Sequence, residues 1–131
     1  MITLFIVQSC ADAKDVNQTL DSFNGLVDEL WCVSSLGEVN KTERKNDWYG
    51  VIYDDERIDE RLNEGLKVFI EQSEADVLVL FKMQRDGSHS KSPRLFRRHI
   101  TLKDGSLLPE REGLAVETVL NGWVLSNADI G

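Results

Sequence analysis

Asp54, Asp55 and Glu56 stand in a row directly after the apolar run Trp48-Tyr49-Gly50-Val51-Ile52-Tyr53. Neighbouring carboxylates repel by about 0.5–1 kcal/mol per pair even in water, and by more in a cleft. A divalent cation, nearby arginines or bulk solvent must offset that repulsion. A buried strand that delivers acids to its carboxyl end, where a helix begins, is the usual way an α/β fold presents a ligand site. The plainer alternative is a helix start: Asp54 or Asp55 as N-cap, with the acids at the positive end of the helix dipole.

Basic groups gather elsewhere. Residues 1–80 hold 17 acids against 7 Lys/Arg, whereas residues 81–131 hold 6 against 8. The excess lies in Lys82, Arg85, Lys91, Arg94, Arg97, Arg98 and Lys103. It reads either as a solvated face or as an anion-binding wall opposite the acids, with the arginines as phosphate contacts. On a strand over 93–102, Arg94 and Arg98 share one face and Arg97 takes the other, so all three converge only through a bulge. The net charge of −8 argues against general nucleic-acid binding.

The elements that must position these groups follow from hydrophobic pattern. Residues 2–8 form a continuous apolar run, expected of a buried strand. Val16, Leu20, Phe23 and Val27 mark one face of a helix, capped by Asp12 or Asp15 and ending near Gly25. Glu29 to Ser34 is a second strand, completing a βαβ unit. Residues 35–47 form a polar loop with room for one helical turn. Strands follow over 48–53, 76–83 and 93–102. Ile58, Leu62, Leu66, Phe69 and Ile70 stripe a helix over 57–72. A turn falls at 103–106, and Leu114 to Leu125 reads as helix or strand, interrupted by Gly122. A length of 131 residues suits one domain, 1–131. There is no transmembrane-length apolar run and no signal-peptide pattern at Met1, so a cytoplasmic protein without a membrane span is expected. Cys10 and Cys32 lack His or Cys partners at zinc spacing and are expected to be reduced and buried.

Three stretches together resemble a shortened family-two glycosyltransferase of the GT-A fold. Ile2 to Val33 looks like the opening strand, helix and strand of these enzymes. Trp48 to Ile58 is similar to their strand ending in Asp-Ala-Asp-Glu-Arg, the metal-binding signature. Ser92-Pro93-Arg94-Leu95-Phe96-Arg97-Arg98 looks like their Pro-Arg-Leu-Phe-Arg segment. The resemblance implies an α/β three-layer sandwich with a mostly parallel sheet, an abridged nucleotide-diphospho-sugar transferase fold. It also implies metal-assisted, inverting transfer of a sugar from a nucleotide-sugar donor to an unknown acceptor. Asp55 and Glu56 would hold Mn²⁺ or Mg²⁺ on the donor diphosphate, since hard oxygens suit hard cations. Ser34, Ser35, Asp54, Arg94 and Arg98 would contact the donor, and Glu117 would be the general base.

The sequence departs from that family in two places. Tyr53 stands where the signature has its first aspartate, and Ser34-Ser35-Leu36-Gly37-Glu38 lacks the aspartate expected after the second strand. The alternative is therefore a non-catalytic binding or assembly module on a degenerate transferase fold, for which self-association into a homo-oligomer is the distinguishing property.

Overall fold

The computed structural model describes residues 1–8, 13–84 and 86–126, with residues 13–15 as backbone alone. Cys10, Asp12 and Arg85, singled out above, lie outside the described residues. The elements run β1 (Ile2–Val7), α1 (Ala13–Ser22), β2 (Val27–Val33), α2 (Gly37–Lys41), β3 (Trp48–Tyr53), β4 (Glu56–Ile58), α3 (Glu60–Gln72), β5 (Val77–Met83), β6 (His89–Arg97), β7 (Val116–Thr118) and β8 (Val124–Ser126). They form one sheet in the order β2-β1-β3-β6-β5-β8-β4, with β7 also paired to β5.

The sheet is mixed, which corrects the mostly parallel three-layer sandwich. β1 pairs in parallel with β2 and β3, but β6 is antiparallel to both β3 and β5, and β4 is antiparallel to β8. Only residues 84–88 join β5 to β6, and a connection that short cannot cross over the sheet, so the two strands must form a hairpin.

The layers differ as well. One face packs on α1 and α3, through Phe23, Leu62 and Leu66 against Ile2, Leu4, Ile6, Trp48 and Leu80. The other face is covered by the short α2 and by the irregular chain after β6, through Val39, Ile100 and Leu102 against Phe5, Tyr49 and Phe96. Tyr49 anchors that second face: its hydroxyl donates to the Ile100 carbonyl at 2.7 Å and its ring stacks on Phe96.

The sheet must also curl. Two residues, Asp54 and Asp55, link β3 to β4, so the Cα atoms of Tyr53 and Glu56 are at most about 11 Å apart. Along the sheet, β6, β5 and β8 lie between those two strands, which in a flat sheet would set them about 19 Å apart. Only a half-barrel curvature reconciles the two distances.

Two local features differ from the sequence pattern. The helix expected over 57–72 begins later, at Glu60, because residues 56–58 pair with β8. Its N-cap is Asp59, whose side chain accepts from the Leu62 amide at 2.9 Å, in place of Asp54 or Asp55. The ambiguous segment 114–125 resolves into β7 and the approach to β8, separated by Gly122 with φ +95°. A Cβ at Gly122 would overlap the Asp59 carboxylate and the Leu62 amide, the atoms that make the α3 cap. Gly122→Ala combines that overlap with a left-handed backbone, and it is expected to destabilise the fold by at least about 2 kcal/mol in urea titration. Gly87→Ala has the same backbone cost in open space and should lose only about 1 kcal/mol.

Candidate functional site

The parallel strands β1, β2 and β3 end side by side. The Gln8 amide donates to the Val33 carbonyl at 2.8 Å, and the Asp54 amide to the Val7 carbonyl at 3.1 Å. This edge therefore carries Ser34 and Ser35 after β2, and Asp54 and Asp55 after β3. Asp55 is exposed, Asp54 is buried and Ser35 is exposed. The turn is held from below by α1: Thr19, fully buried, directs its hydroxyl at the carbonyls of Asp54 and Glu56.

Glu56 does not face this edge. It is the first residue of β4 and points into the curl with no solvent exposure. Its Oε1 accepts from Arg94 Nη1 at 2.6 Å and from the Tyr53 amide at 3.0 Å. Its Oε2 accepts from Arg94 Nη2 at 2.8 Å and from Lys82 Nζ at 2.6 Å. The bidentate pairing to Arg94 is the strong form of carboxylate recognition. Lys82 is 27% exposed and links the cluster to solvent.

Arg94 reaches this position through a bulge. Leu78 pairs with Leu95 and Val79 with Pro93, which leaves Arg94 as the extra residue of β6. Regular alternation would set Arg94 on the face opposite Leu95, and the bulge re-aims it inward. Its Nε also donates to Ser92 Oγ at 2.7 Å, and its guanidinium lies 5.7 Å from the Tyr53 ring centroid.

Burial alone would raise the Glu56 pKa. The Arg94 hydrogen bonds and charge, with the Lys82 and Tyr53 donors, outweigh it and bring the carboxyl down to about 2. Glu56 is thus an ionised acceptor whose lone pairs are occupied by the protein itself. As a metal ligand it is unavailable without breaking this cluster, and Arg94 is equally committed.

The other residues nominated by sequence disperse. The Ser34 amide and hydroxyl both donate to the Glu38 carboxylate, at 2.6 and 3.2 Å. The amide bond is the largest cause of the lowered Glu38 pKa. Ser34 therefore serves the entry to α2. Arg98 follows β6 at the opposite edge of the sheet, where its amide bonds Asp47 and its guanidinium bonds the Lys45 carbonyl at 3.1 Å. Glu117 is on β7, beside the start of β5, and accepts from Ser73 Oγ at 2.6 Å. It lies at the opposite end of β5 from Lys82, away from the Asp55 edge. Arg97 stacks over Trp48 at 3.9 Å and bonds the Ala75 carbonyl.

Among the described residues no group of three or more His, Cys, Asp or Glu side chains is arranged to enclose a metal ion. Cys32, expected to be buried, is exposed on β2. No helix among those residues is long and apolar enough to cross a membrane. Sequence reasoning missed Thr19, which sits on the inward face of an amphipathic helix and carries no local signal; Lys82 stood in the basic excess, and the structure sets it on Glu56.

No model of a known protein family matches the chain, and no curated protein matches it in sequence.

The ion cluster has a measurable signature. A carboxyl whose pKa falls on folding contributes stability that is full above its ordinary value near 4.5 and is lost as pH drops toward about 2. Across that window the wild type should lose about 3 kcal/mol more than Glu56→Gln, which lacks the titrating group. At neutral pH, Glu56→Gln leaves Arg94 buried without its counter-charge and should unfold about 3–5 kcal/mol more readily. Urea titrations of both proteins from pH 7 to pH 2 check both expectations.

Proposed function

We propose that the edge formed by the ends of β1, β2 and β3 binds the diphosphate of a nucleotide-sugar, and that the protein transfers the sugar to an acceptor hydroxyl with inversion. The observation that supports this reading is the convergence of three parallel strand ends on an exposed carboxylate, Asp55. Ligands of open α/β sheets bind outside such strand ends. The reading rests on this local arrangement and on the sequence resemblance of 48–58, not on a three-layer fold.

Asp55 is the residue that would hold Mn²⁺ or Mg²⁺. One carboxylate is enough where substrate phosphates and water complete the shell, as is usual for Mg²⁺. The cation would supply charge neutralisation for the leaving diphosphate. Ser35 offers a hydroxyl to the donor at the neighbouring strand end. Glu56 and Arg94 act beneath the site: they fix where the 53–56 turn lies, and Thr19 fixes its carbonyls. The compartment that goes with this reading is the cytoplasm, in keeping with an exposed, unpaired Cys32.

A second reading, a non-catalytic binding or assembly module, is favoured by one specific observation. Glu56, Arg94 and Ser34 are used up in internal bonds, and Glu117 and Arg98 stand at the opposite edge.

Calorimetric titration separates the two. Under the transfer reading, Mn²⁺ alone binds weakly, a nucleoside diphosphate with Mn²⁺ binds measurably, and Asp55→Asn weakens that binding at least tenfold without changing the melting temperature. If folded wild-type protein binds none of the uridine, guanosine, adenosine, cytidine or thymidine diphosphates with Mn²⁺ or Mg²⁺, transfer is excluded and the binding-module reading stands.

A further inference from the structure

β2 ends the sheet, and among the described residues no strand pairs with its outer side. Long edge strands are templates for another strand, and proteins usually guard them with lysine, proline or inward charges. β2 has the sequence Val-Asp-Glu-Leu-Trp-Cys-Val, with neither Lys nor Pro. Its two acids are hydrogen-bonded within the chain, Glu29 in part by the Trp31 side chain. Asp28 Oδ1 accepts from Asn46 at 2.6 Å. Glu29 Oε1 accepts from the Thr3 hydroxyl at 2.6 Å and from the Lys45 amide at 3.3 Å. Leu30 and Trp31 are 39% and 43% exposed, and Cys32 is exposed beside them.

The backbone orientation can be read from β1. Because Val33 accepts the Gln8 amide, the peptide groups of Val33 face β1. Alternation along an extended strand turns those of Trp31 and Glu29 the same way, and those of Leu30 and Cys32 outward. The outward peptide groups thus belong to exposed Leu30 and Cys32, with exposed Trp31 between them. An open groove lined by Leu20, Val27 and Leu30 and by the acids Asp21, Asp28 and Glu29 runs along the same edge.

We propose that this edge pairs with β2 of a second copy of the chain, antiparallel, about a twofold axis at Trp31. The strand is self-complementary in that register. Trp31 meets its counterpart in a close pair without hydrogen bonds, and Leu30 meets Cys32 in pairs that exchange both peptide hydrogen bonds. Glu29 falls opposite Val33 and Asp28 opposite Ser34, so no acid faces an acid. Other registers lose either the Trp31 pair or the alignment of outward peptide groups. The result joins two curled sheets into one continuous sheet through an isologous interface, which closes at two copies. Each copy carries a formal charge of −8, so association strengthens as salt screens the repulsion. The inference goes beyond the transfer reading and does not depend on it; a dimer formed through β2 is compatible with either reading, so self-association by itself no longer separates them.

Sedimentation of the full chain under reducing conditions, across a hundredfold range of concentration, tests it. The expected result is a monomer–dimer equilibrium that shifts toward dimer with added salt. Trp31→Lys, with an unchanged melting temperature, should weaken it at least tenfold. Register is read separately: Leu30→Cys should form a disulfide-linked dimer with Cys32 of the second copy under mild oxidation, whereas the wild type should not cross-link efficiently. A wild type that stays monomeric throughout overturns the proposal. So does equal association by a folded Trp31→Lys, open-ended aggregation in place of a dimer, or cross-linking through Cys32 alone.

Discussion

The buried bond between Glu56 and Arg94 is the constraint on which the curl of this sheet depends. Desolvating two charges is costly, and a buried ion pair is weak grounds for net stability compared with packed hydrocarbon. What the pair supplies is conditional fit. The carboxylate has its full set of donors only when β3 contributes the Tyr53 amide, β5 contributes Lys82 and β6 contributes Arg94. A sheet of the same strands left flat would set β4 too far from β3 and β6 for these bonds to form. The cluster thus penalises every arrangement except the curled one, and it sits where two residues must bridge a gap that flat geometry makes too wide.

That same cluster explains what the sequence made legible and what it concealed. β1, β3 and β5 were readable almost to the residue because each is a near-continuous apolar run, buried on both faces in β1 and β3 and at the start of β5. The stripe of Leu62 and Leu66 likewise announced α3. The motif at 54–56 and the arginines near 94 were rightly singled out as chemically unusual, and the bulge needed to turn an arginine inward was a visible geometric condition. Their relation was hidden, because periodicity describes one segment at a time and this bond joins residues 38 apart in the chain. The acids looked like a ligand site partly because a three-residue strand, Glu56–Ile58, is too short to register as one. Its apolar residue Ile58 also fits the helical stripe that follows. The direction of β6 was obscured because the expected strand began at 93 and left a link of nine residues after 83, whereas the strand itself begins at His89 and leaves only five.

The two ends of the acidic row consequently have different occupations. Asp55 faces solvent at the convergence of parallel strand ends, while Glu56, its neighbour, is locked beneath. A turn fixed by a buried carboxylate below and by Thr19 from α1 holds its exposed residue on a rigid base. Strand-end sites gain from such support, since positioning by the scaffold is more precise than positioning by loops. The outer side of β2, which no strand among the described residues pairs, lies at the other boundary of the same parallel trio, so the half of the molecule built from β1, β2 and β3 carries both the exposed carboxylate and that edge.

The strand order also has a consequence for biosynthesis. Among the described residues β4 joins the sheet by pairing with β8 alone, and β8 runs to Ser126. Until residue 126 has cleared the ribosome, the segment 56–58 has no partner strand. The helical βαβ opening can gather early, because its contacts are local. Pairing of β4, and with it the closure of the half-barrel, is then a step that waits until residues 124–126 have been made. Nascent chains halted short of β8 would hold the apolar interior beneath α1 and α3 open at one side, the condition in which a chaperone's grip matters most.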